Sequence, residues 1–171
     1  MELMEKSVIM DLHAHPDISP EDPHQIRAMD REGRNFIAYE ALAQSGLDCV
    51  FDNMMDGSSF INTKHGWDWN STIHDLGMRL CDISHQEMII HCKKTSDIEY
   101  AHEKGKIAWV AVMESASCIE NEVDRRDILY GLGLRSIGIN YSESNMLGSG
   151  LKEHMDAGLT DFGYDALVHY E

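Results

Sequence analysis

The chain has 171 residues, 43% of them hydrophobic, which is typical of one globular domain with a sizeable core and excludes a disordered chain. Its 30 acidic and 14 basic residues give a formal net charge of −16, which disfavours nucleic acid or an anionic membrane as a partner. The four cysteines form no C-x-x-C pair, and the sequence shows neither a secretory signal nor a run of roughly 18 apolar residues, so we expect buried thiols in a cytoplasmic protein.

The first predicted element is a short buried strand, because Val8 to Met10 are apolar and show no alternation with polar residues. Asp11, His13 and His15 follow at every second position. A strand has a side-chain period of two, so these three side chains are expected to point to one side. The H-x-H pair would then place two imidazoles, which are common metal ligands, where α/β proteins keep their active sites. Two solvated histidines at a strand end are the alternative.

Helical and strand patterns alternate along the rest of the chain. Apolar spacing, capping residues and glycines predict helices over five stretches: His24 to Ser45, Ser71 or Thr72 to about His91, Ser96 to Gly105, Asp124 to Leu132 and Asp161 to Tyr170. Apolar runs predict further strands at Leu47 to Met54, Ile107 to Met113 and Ser136 to Asn140. This alternation predicts an α/β fold with a parallel sheet and one structural unit over residues 1–171.

Glu114 is the second candidate for a functional residue. It directly follows the apolar run Ile107 to Met113 and should therefore lie at the carboxyl end of a buried strand. In a barrel, such strand ends converge on one face, so Glu114 is expected near His13 and His15. Two imidazoles and a carboxylate suit Zn²⁺ or Mn²⁺. Glu114 alone would more simply be a solvated acid, but together with the H-x-H pair it favours a metal site.

Several short motifs follow one another in the sequence. They are Asp11-x-His13-x-His15, the strand Ile107 to Glu114, Gly133-Leu134-Arg135, Ile139-Asn140-Tyr141, Asn145 to Gly150 (N-M-L-G-S-G) and Gly158 to Gly163 (G-L-T-D-F-G). In kind and order they resemble the motifs of the membrane dipeptidase (renal dipeptidase) group of metallopeptidases, family M19. The resemblance spans nearly the whole chain, and its most specific part is the stretch from Tyr130 to Gly163.

The resemblance implies a (β/α)8 barrel of the TIM type, in the superfamily of metal-dependent hydrolases, with roughly the first four βα units present here. It also implies a binuclear zinc site, two Zn²⁺ per complete site. His13 would bind the first metal, His15 would stand where the family has Asp, and Glu114 would bridge the metals as a catalytic residue. The implied reaction is hydrolysis of a dipeptide substrate by a metal-activated hydroxide. Tyr141 falls where some members place a substrate-contacting histidine.

Two departures from the family pattern affect these expectations. His15 is neutral where the family has a carboxylate, which changes the charge of the site and could shift its metal preference or its reaction. The remaining histidine ligands of the family, a catalytic-site Asp and basic substrate-binding groups would all lie beyond Glu171. We therefore expect the N-terminal half of a barrel that self-associates or pairs with a complementing C-terminal half, because open strand edges attract other chains. Alone, it should be poor or inactive as a peptidase.

Two alternatives stay open from the sequence. Another metal-dependent hydrolase of the amidohydrolase type, such as a deaminase, cyclic amidase or phosphoesterase, is slightly favoured by the H-x-H pair. A non-catalytic remnant or assembly subunit is the other.

Asp52 could line the site, and Arg135 should be structural. Six other histidines are expected to be solvated: His65, His74, His85, His91, His102 and His154.

Overall fold

The computed structural model of the protein describes residues 7–16, 39–54 and 68–168. In these ranges the strands are β1 (Met10–Ala14), β2 (Cys49–Met54), β3 (Ile89–His91), β4 (Ile107–Met113) and β5 (Leu134–Ile137). The α-helices are α1 (Tyr39–Ser45), α2 (Trp69–Ser84), α3 (Thr95–Glu103), α4 (Arg125–Leu132) and α5 (Asp161–Val168). All strand pairs are parallel, so the predicted α/β architecture is confirmed.

Strand β4 is the centre of the sheet. On one edge it pairs with β2 along its whole length, from Ala108 opposite Cys49 to Met113 opposite Met54. On the other edge β3 pairs with the first residues of β4, and β5 pairs with the last ones. Strand β1 pairs with β2. Because β4 has neighbours on both edges and every one of its residues is buried, it supplies a fixed support for the residue that follows it, Glu114.

Strand β3 is the largest difference from the sequence prediction. The helix predicted to reach about His91 ends at Ser84, and the chain returns to the sheet at Ile89. The same helix, α2, also begins earlier than predicted. Its N-cap is Asp68, whose carboxylate accepts a hydrogen bond from the amide of Ser71 at 2.8 Å. A strand of three residues is too short to show a periodic signal, and its pairing with β4 is a non-local interaction that the local pattern does not contain.

Strand β1 is exposed, whereas its first residues were predicted to form a buried strand. The strand begins at Met10, and the side chain of Leu12 in its middle is 65% exposed. The described strands cover only one of its two edges, because β1 pairs with β2 alone among them. The other predicted strands and helices in the described ranges agree with the structure to within a few residues; residues 24–38 of the first predicted helix lie outside those ranges.

The core occupies both faces of the sheet. One face packs Val50 and Trp109 against α2, and the other packs Val110 and Val112 with Cys49 and Cys92. Three of the four cysteines are buried free thiols, as predicted, whereas Cys81 is exposed. Burial raises the pKa of Cys49 to about 11 and that of Cys92 to about 12, so both stay protonated near neutral pH and are poor metal ligands.

Candidate metal centre

The H-x-H pair lies at a bulge in β1. Asp11 is paired with Val50 and Ala14 with Asp52, so three steps along β1 match two along β2. Paired residues share a face of the sheet, and Asp11 therefore shares the face of Val50. The prediction that Asp11 points to the same side as both histidines is thus wrong, because the bulge interrupts the alternation.

Asp11 instead holds the backbone of the bulge. Its Oδ1 atom accepts a hydrogen bond from the amide of His13 at 3.0 Å. Carboxylates that bond to the amide two residues ahead stabilise turn-like backbone that a regular strand cannot form. The sequence analysis identified this aspartate as part of a motif but did not predict that it shapes the backbone at His13.

The three predicted metal ligands lie together. Nitrogen atoms of His13 and His15 and an oxygen of Glu114 all lie within 4.8 Å of one another, and within the described ranges no other such group of three is present. His13 Nε2 is 3.3 Å from Glu114 Oε1. The two imidazole rings stand edge to face, with their centroids 5.1 Å apart. The carboxyl ends of β1 and β4 thus meet as the barrel argument predicted, although β2 lies between the two strands.

The orientation of His15 is set by a backbone group. Its Nδ1 atom is 2.7 Å from the carbonyl oxygen of Asn53 near the end of β2. A carbonyl oxygen can only accept, so Nδ1 carries the proton and Nε2 presents its lone pair. Metal-bound histidines generally have this arrangement, with the second ring nitrogen donating to a carbonyl or carboxylate. Sequence reasoning missed Asn53, because a backbone contact leaves no signal in residue identity.

Glu114 is the buried member of the group. Its side chain is 8% exposed, against 60% for His13. Its Oε2 atom is buried and accepts no hydrogen bond from the residues that the structure describes. A buried carboxylate oxygen without a partner is costly, and a cation bound beside it would remove that cost. The donor set and this oxygen together fit a divalent metal ion.

Gly138 fixes the position of Glu114 from behind. A Cβ atom at Gly138 would lie 2.3 Å from the carbonyl oxygen of Glu114. The amide of Gly138 donates a hydrogen bond to the carbonyl oxygen of Met113 at 2.9 Å. Only glycine allows the chain after β5 to pass this close to the end of β4. The glycine was visible in the sequence, but the strand predicted there, Ser136 to Asn140, starts two residues and ends three residues later than β5, Leu134–Ile137.

Asn145 joins the segment after Glu114 to the loop after β5. Its Nδ2 group donates to Ser117 Oγ at 3.2 Å and to the carbonyl of Ile139 at 2.7 Å. Its Oδ1 atom accepts from the amides of Leu147 and Gly148. Tyr141, the predicted substrate-binding residue, lies in this loop with its side chain exposed. Its role stays a prediction.

The two C-terminal motifs pack against each other. The amide of Thr160, in the second motif, donates a hydrogen bond to the carbonyl oxygen of Leu147, in the first, at 2.9 Å. Gly148 and Leu159 form an isolated antiparallel β-bridge. A Cβ atom at Gly163 would lie 2.0 Å from the carbonyl oxygen of Leu147. These motifs therefore shape the loops at the carboxyl end of the sheet, and none of their members belongs to the three-ligand group.

Asp52 does not line the site, contrary to the sequence expectation. It lies within β2 and is fully buried, and its Oδ2 atom is 2.6 Å from Arg79 Nη1 of α2. The Trp109 indole donates to the same oxygen at 2.9 Å. A carboxylate neutralised in this way ties a helix to the sheet and is not available to a metal.

The sequence matches a known protein family, and the fold is similar to those of solved structures. The profile of the membrane dipeptidase family, peptidase family M19, matches residues 1–170. An amidohydrolase from Pseudomonas aeruginosa is similar in structure, with a TM-score of 0.74 and 19% identity over 98% of this chain and 44% of that one. A metallopeptidase from Rhodobacter sphaeroides, solved with a phosphinate mimic of the dipeptide L-Ala-D-Ala, gives a TM-score of 0.64 and 16% identity over 94% of this chain and 54% of its own.

A sequence relative is an uncharacterised protein of the PQQ-III 3′ region of Acinetobacter calcoaceticus, 31% identical over 104 residues. The match covers 54% of this chain and 33% of that protein. The chain therefore spans about one third to one half of the length of these relatives. The structural likenesses confirm the α/β fold of the TIM-barrel type. None of the helices in the described ranges has the length and apolarity needed to cross a bilayer.

Proposed function

Because the chain belongs to the membrane dipeptidase family, peptidase family M19, we propose that it carries the metal-binding part of a zinc-dependent hydrolase that cleaves dipeptides. The observation that carries this proposal is the convergence of His13, His15 and Glu114 at the carboxyl ends of two strands. The buried Oε2 atom of Glu114 also supports it, because this atom has no hydrogen-bond partner among the residues that the structure describes, whereas a structural carboxylate would usually have one.

The three side chains have distinct roles in this proposal. His13 and His15 would bind the metal through imidazole nitrogens, and Glu114 would bind it through its carboxylate and take part in catalysis. When bound, a divalent ion supplies a hydroxide nucleophile near neutral pH and polarises the carbonyl of the substrate. The Asn53 carbonyl keeps His15 in the tautomer that binds. The buried end of β4 keeps Glu114 away from bulk water, which strengthens its interaction with a cation.

The substrate part of the proposal rests on relatives and on one loop. The Rhodobacter sphaeroides metallopeptidase was solved with a mimic of L-Ala-D-Ala. We assign the substrate contact on this chain to Tyr141, an exposed aromatic residue in the loop after β5. The chain spans at most about half of its structural relatives, so the rest of the site would come from a complementing C-terminal half or from self-association. The free thiols of Cys49, Cys92 and Cys118 support a cytoplasmic location.

A second candidate is hydrolysis of another amide or ester, such as a cyclic amide, an amino-substituted ring or a phosphoester. It is supported by the second imidazole, His15, and by the likeness to a protein described as an amidohydrolase. A neutral ligand in place of a carboxylate leaves more positive charge on a bound ion, which could suit a different leaving group or an anionic substrate.

The test is a parallel assay of the full chain with Zn²⁺ on L-Ala-D-Ala, cyclic amides and phosphoesters, over a range of protein concentrations. We expect dipeptide hydrolysis that rises more than linearly with concentration, is lost in Glu114→Gln and is kept in Glu99→Gln, a matched change at an exposed residue of α3. Turnover of the other substrates without dipeptide hydrolysis would favour the second candidate. A zinc-loaded, associated chain that turns over nothing would contradict both and leave the non-catalytic subunit.

A further inference from the structure

We propose that Asn145 is a positioning residue of the candidate metal centre, because it holds the segment after Glu114 and the loop that carries Tyr141 in one fixed arrangement. This inference rests on the proposed function, since it concerns the site of that hydrolase. It goes further by assigning a part in zinc affinity to a residue outside the three-ligand group. Four hydrogen bonds that meet at the Asn145 side chain support it.

One side of Asn145 is linked to Glu114 through two serines. Ser115 directly follows Glu114 and is 1% exposed. Its hydroxyl accepts a hydrogen bond from the amide of Ser117 at 3.3 Å and shares another with the Ser117 hydroxyl at 2.9 Å, which caps the 3₁₀ helix Ala116–Ile119. The Nδ2 group of Asn145 donates to the same Ser117 hydroxyl at 3.2 Å. The chain after Glu114 is therefore tied to Asn145 by a continuous series of hydrogen bonds.

The direction in which the chain leaves Glu114 helps to decide where its carboxylate points. The amide of Glu114 donates to the Met54 carbonyl oxygen at 3.3 Å, and its own carbonyl oxygen lies against Gly138, so β2 and the chain after β5 hold its backbone on two sides. Ser115 and the helix that it caps fix the exit from this residue. A metal ligand has to be held within about 0.5 Å of its binding position, so a looser exit would weaken the site.

The other side of Asn145 orders the loop after β5. The second hydrogen of its Nδ2 group is donated to the carbonyl oxygen of Ile139 at 2.7 Å, two residues before Tyr141. Its Oδ1 atom accepts from the amides of Leu147 at 2.8 Å and Gly148 at 3.3 Å. An amide side chain has two hydrogens to donate and one oxygen that can accept two bonds, so all of its capacity is used. The two segments can therefore move apart only if some of these bonds break.

The experiment compares zinc affinity, measured by calorimetry on the full chain, in variants of this linkage. Asn145→Asp keeps the bonds that Oδ1 accepts and removes both donated bonds. We expect about tenfold weaker zinc binding, because loss of a group that positions a metal ligand typically costs about ten- to hundredfold in affinity. Ser117→Ala should weaken zinc binding severalfold. The double variant should bind zinc no more weakly than Asn145→Asp alone, because both changes break the same linkage.

Matched controls lie in the same loop. Asn140 donates its Nδ2 group to the carbonyl oxygen of Ser149, and the Ser149 hydroxyl accepts from the Ala157 amide at 2.9 Å. Asn140→Asp and Ser149→Ala therefore repeat the two chemical changes, including the added charge, and leave the bond between Asn145 and Ser117 in place. Both should lower the free energy of unfolding in urea and leave the zinc affinity of the folded chain unchanged. A purely structural role for Asn145 would give the same result in its own variants.

Hydrogen exchange of the metal-free chain tests the linkage without zinc or substrate. Asn145→Ala should speed amide exchange in residues 115–120 and in residues 145–148 together. Ser117→Ala should speed it in residues 115–120 only, because the other three hydrogen bonds of Asn145 stay in place. Faster exchange in residues 145–148 alone in Asn145→Ala would show that Asn145 orders its own loop and does not hold the segment after Glu114.

The outcomes separate this inference from the proposed function. Zinc binding that is lost in Glu114→Gln but unchanged in folded Asn145→Asp and Ser117→Ala would overturn the positioning role and leave the hydrolase proposal standing. Additive losses in the double variant would also overturn it, because they would show two independent effects. A wild-type chain that binds no zinc would overturn both. If Asn145→Asp does not fold, Ser117→Ala and its exchange pattern decide the question.

Discussion

Two strands of this sheet end in histidine, and the two ends have opposite surroundings. The end of β1 carries His13, and His15 directly follows the strand; both are exposed and lie beside the carboxylate of Glu114. Strand β3 ends in His91, whose ring packs edge to face against Trp109 with the centroids 5.1 Å apart. The same residue type near the end of a parallel strand is therefore a candidate ligand in one case and a half-buried residue packed on a core tryptophan in the other.

The difference lies in the charges around each ring. His91 was predicted to be solvated, but burial lowers its pKa, and the cations of Lys93 and Arg135 lower it further. A hydrogen bond from the ring to the Gly133 backbone and the carboxylate of Asp97 act in the opposite direction. Cations beside an imidazole oppose the binding of another cation, whereas a buried carboxylate attracts one. Position at a strand end is thus insufficient to identify a metal ligand, and the neighbouring charge decides.

The largest expected effects come from two glycines, Gly138 against the backbone of the candidate ligand Glu114 and Gly133 against the ring of His91. Gly138→Ala would place a Cβ atom 2.3 Å from the Glu114 carbonyl oxygen, and Gly133→Ala would place one 2.3 Å from the His91 ring, at a residue with φ of 108°. Each change should lower the free energy of unfolding by about 2–3 kcal/mol, because the neighbouring atoms cannot move aside easily. Urea denaturation of the metal-free chain measures both.

Zinc affinity separates the two glycine variants. Gly138→Ala displaces the end of β4 and should weaken zinc binding, whereas Gly133→Ala should leave the affinity of the folded fraction unchanged. Gly158→Ala is the control for backbone strain alone, since its φ is 69° and a Cβ atom there would meet nothing within 4 Å. Equal zinc affinities in Gly138→Ala and Gly133→Ala would show that the two ends are not distinct.

The ends of β1 and β4 could be predicted from sequence because their signals are local. Seven consecutive apolar residues followed by Glu114 indicate a buried strand with an acid at its end, and H-x-H indicates a ligand pair. The family motifs then placed the fold in the correct class. The meeting of the ends of β1 and β4 followed from the general geometry of parallel α/β folds.

The features that escaped prediction are non-local or conformational. Strand β3 exists because Ile89 to His91 pair with β4, and no pattern of three residues announces such a pairing. The bulge that turns Asp11 away from His13 depends on register with β2. The Asn53 carbonyl that orients His15 has no residue-specific signature. Each of these features concerns which chain segments meet, and local propensity does not contain that information.

Zinc itself should stabilise the chain through one histidine-bearing end only. At a free concentration of 100 times the dissociation constant, a ligand that binds the folded state raises the free energy of unfolding by about 2.7 kcal/mol. We expect this increase in the wild type and in His91→Asn, although His91→Asn lowers the starting stability. It should disappear in His13→Asn. Thermal denaturation with zinc and with a chelator measures the difference, and a loss of the increase in His91→Asn would contradict the comparison.

Asp11 should have a smaller effect that is specific to the β1 end. Asp11→Ala removes the hydrogen bond that Asp11 accepts from the His13 amide. The total loss should be about 1 kcal/mol, most of it in the free energy of zinc binding and the rest in the free energy of unfolding. Asp156→Ala is a matched control, because Asp156 makes the same kind of bond to the Gly158 amide at 2.8 Å in an exposed loop. We expect a severalfold loss of zinc affinity in the first variant and none in the second, by calorimetry. Equal affinities would mean that the bulge keeps its shape without Asp11.

The smallest expected effect is a pH dependence at the β3 end. The pKa of His91 is lowered in the folded chain, so between that value and about 6.5 the unfolded chain binds more protons. The stability from neutral His91 is therefore complete above about pH 6.5 and decreases as the pH falls below it. In a chelator, stability measured from pH 7.5 to 5.5 should decline less in His91→Gln than in the wild type, while the exposed-site control His85→Gln should follow the wild type. An identical decline in all three would place His91 among the solvated histidines, as the sequence first indicated.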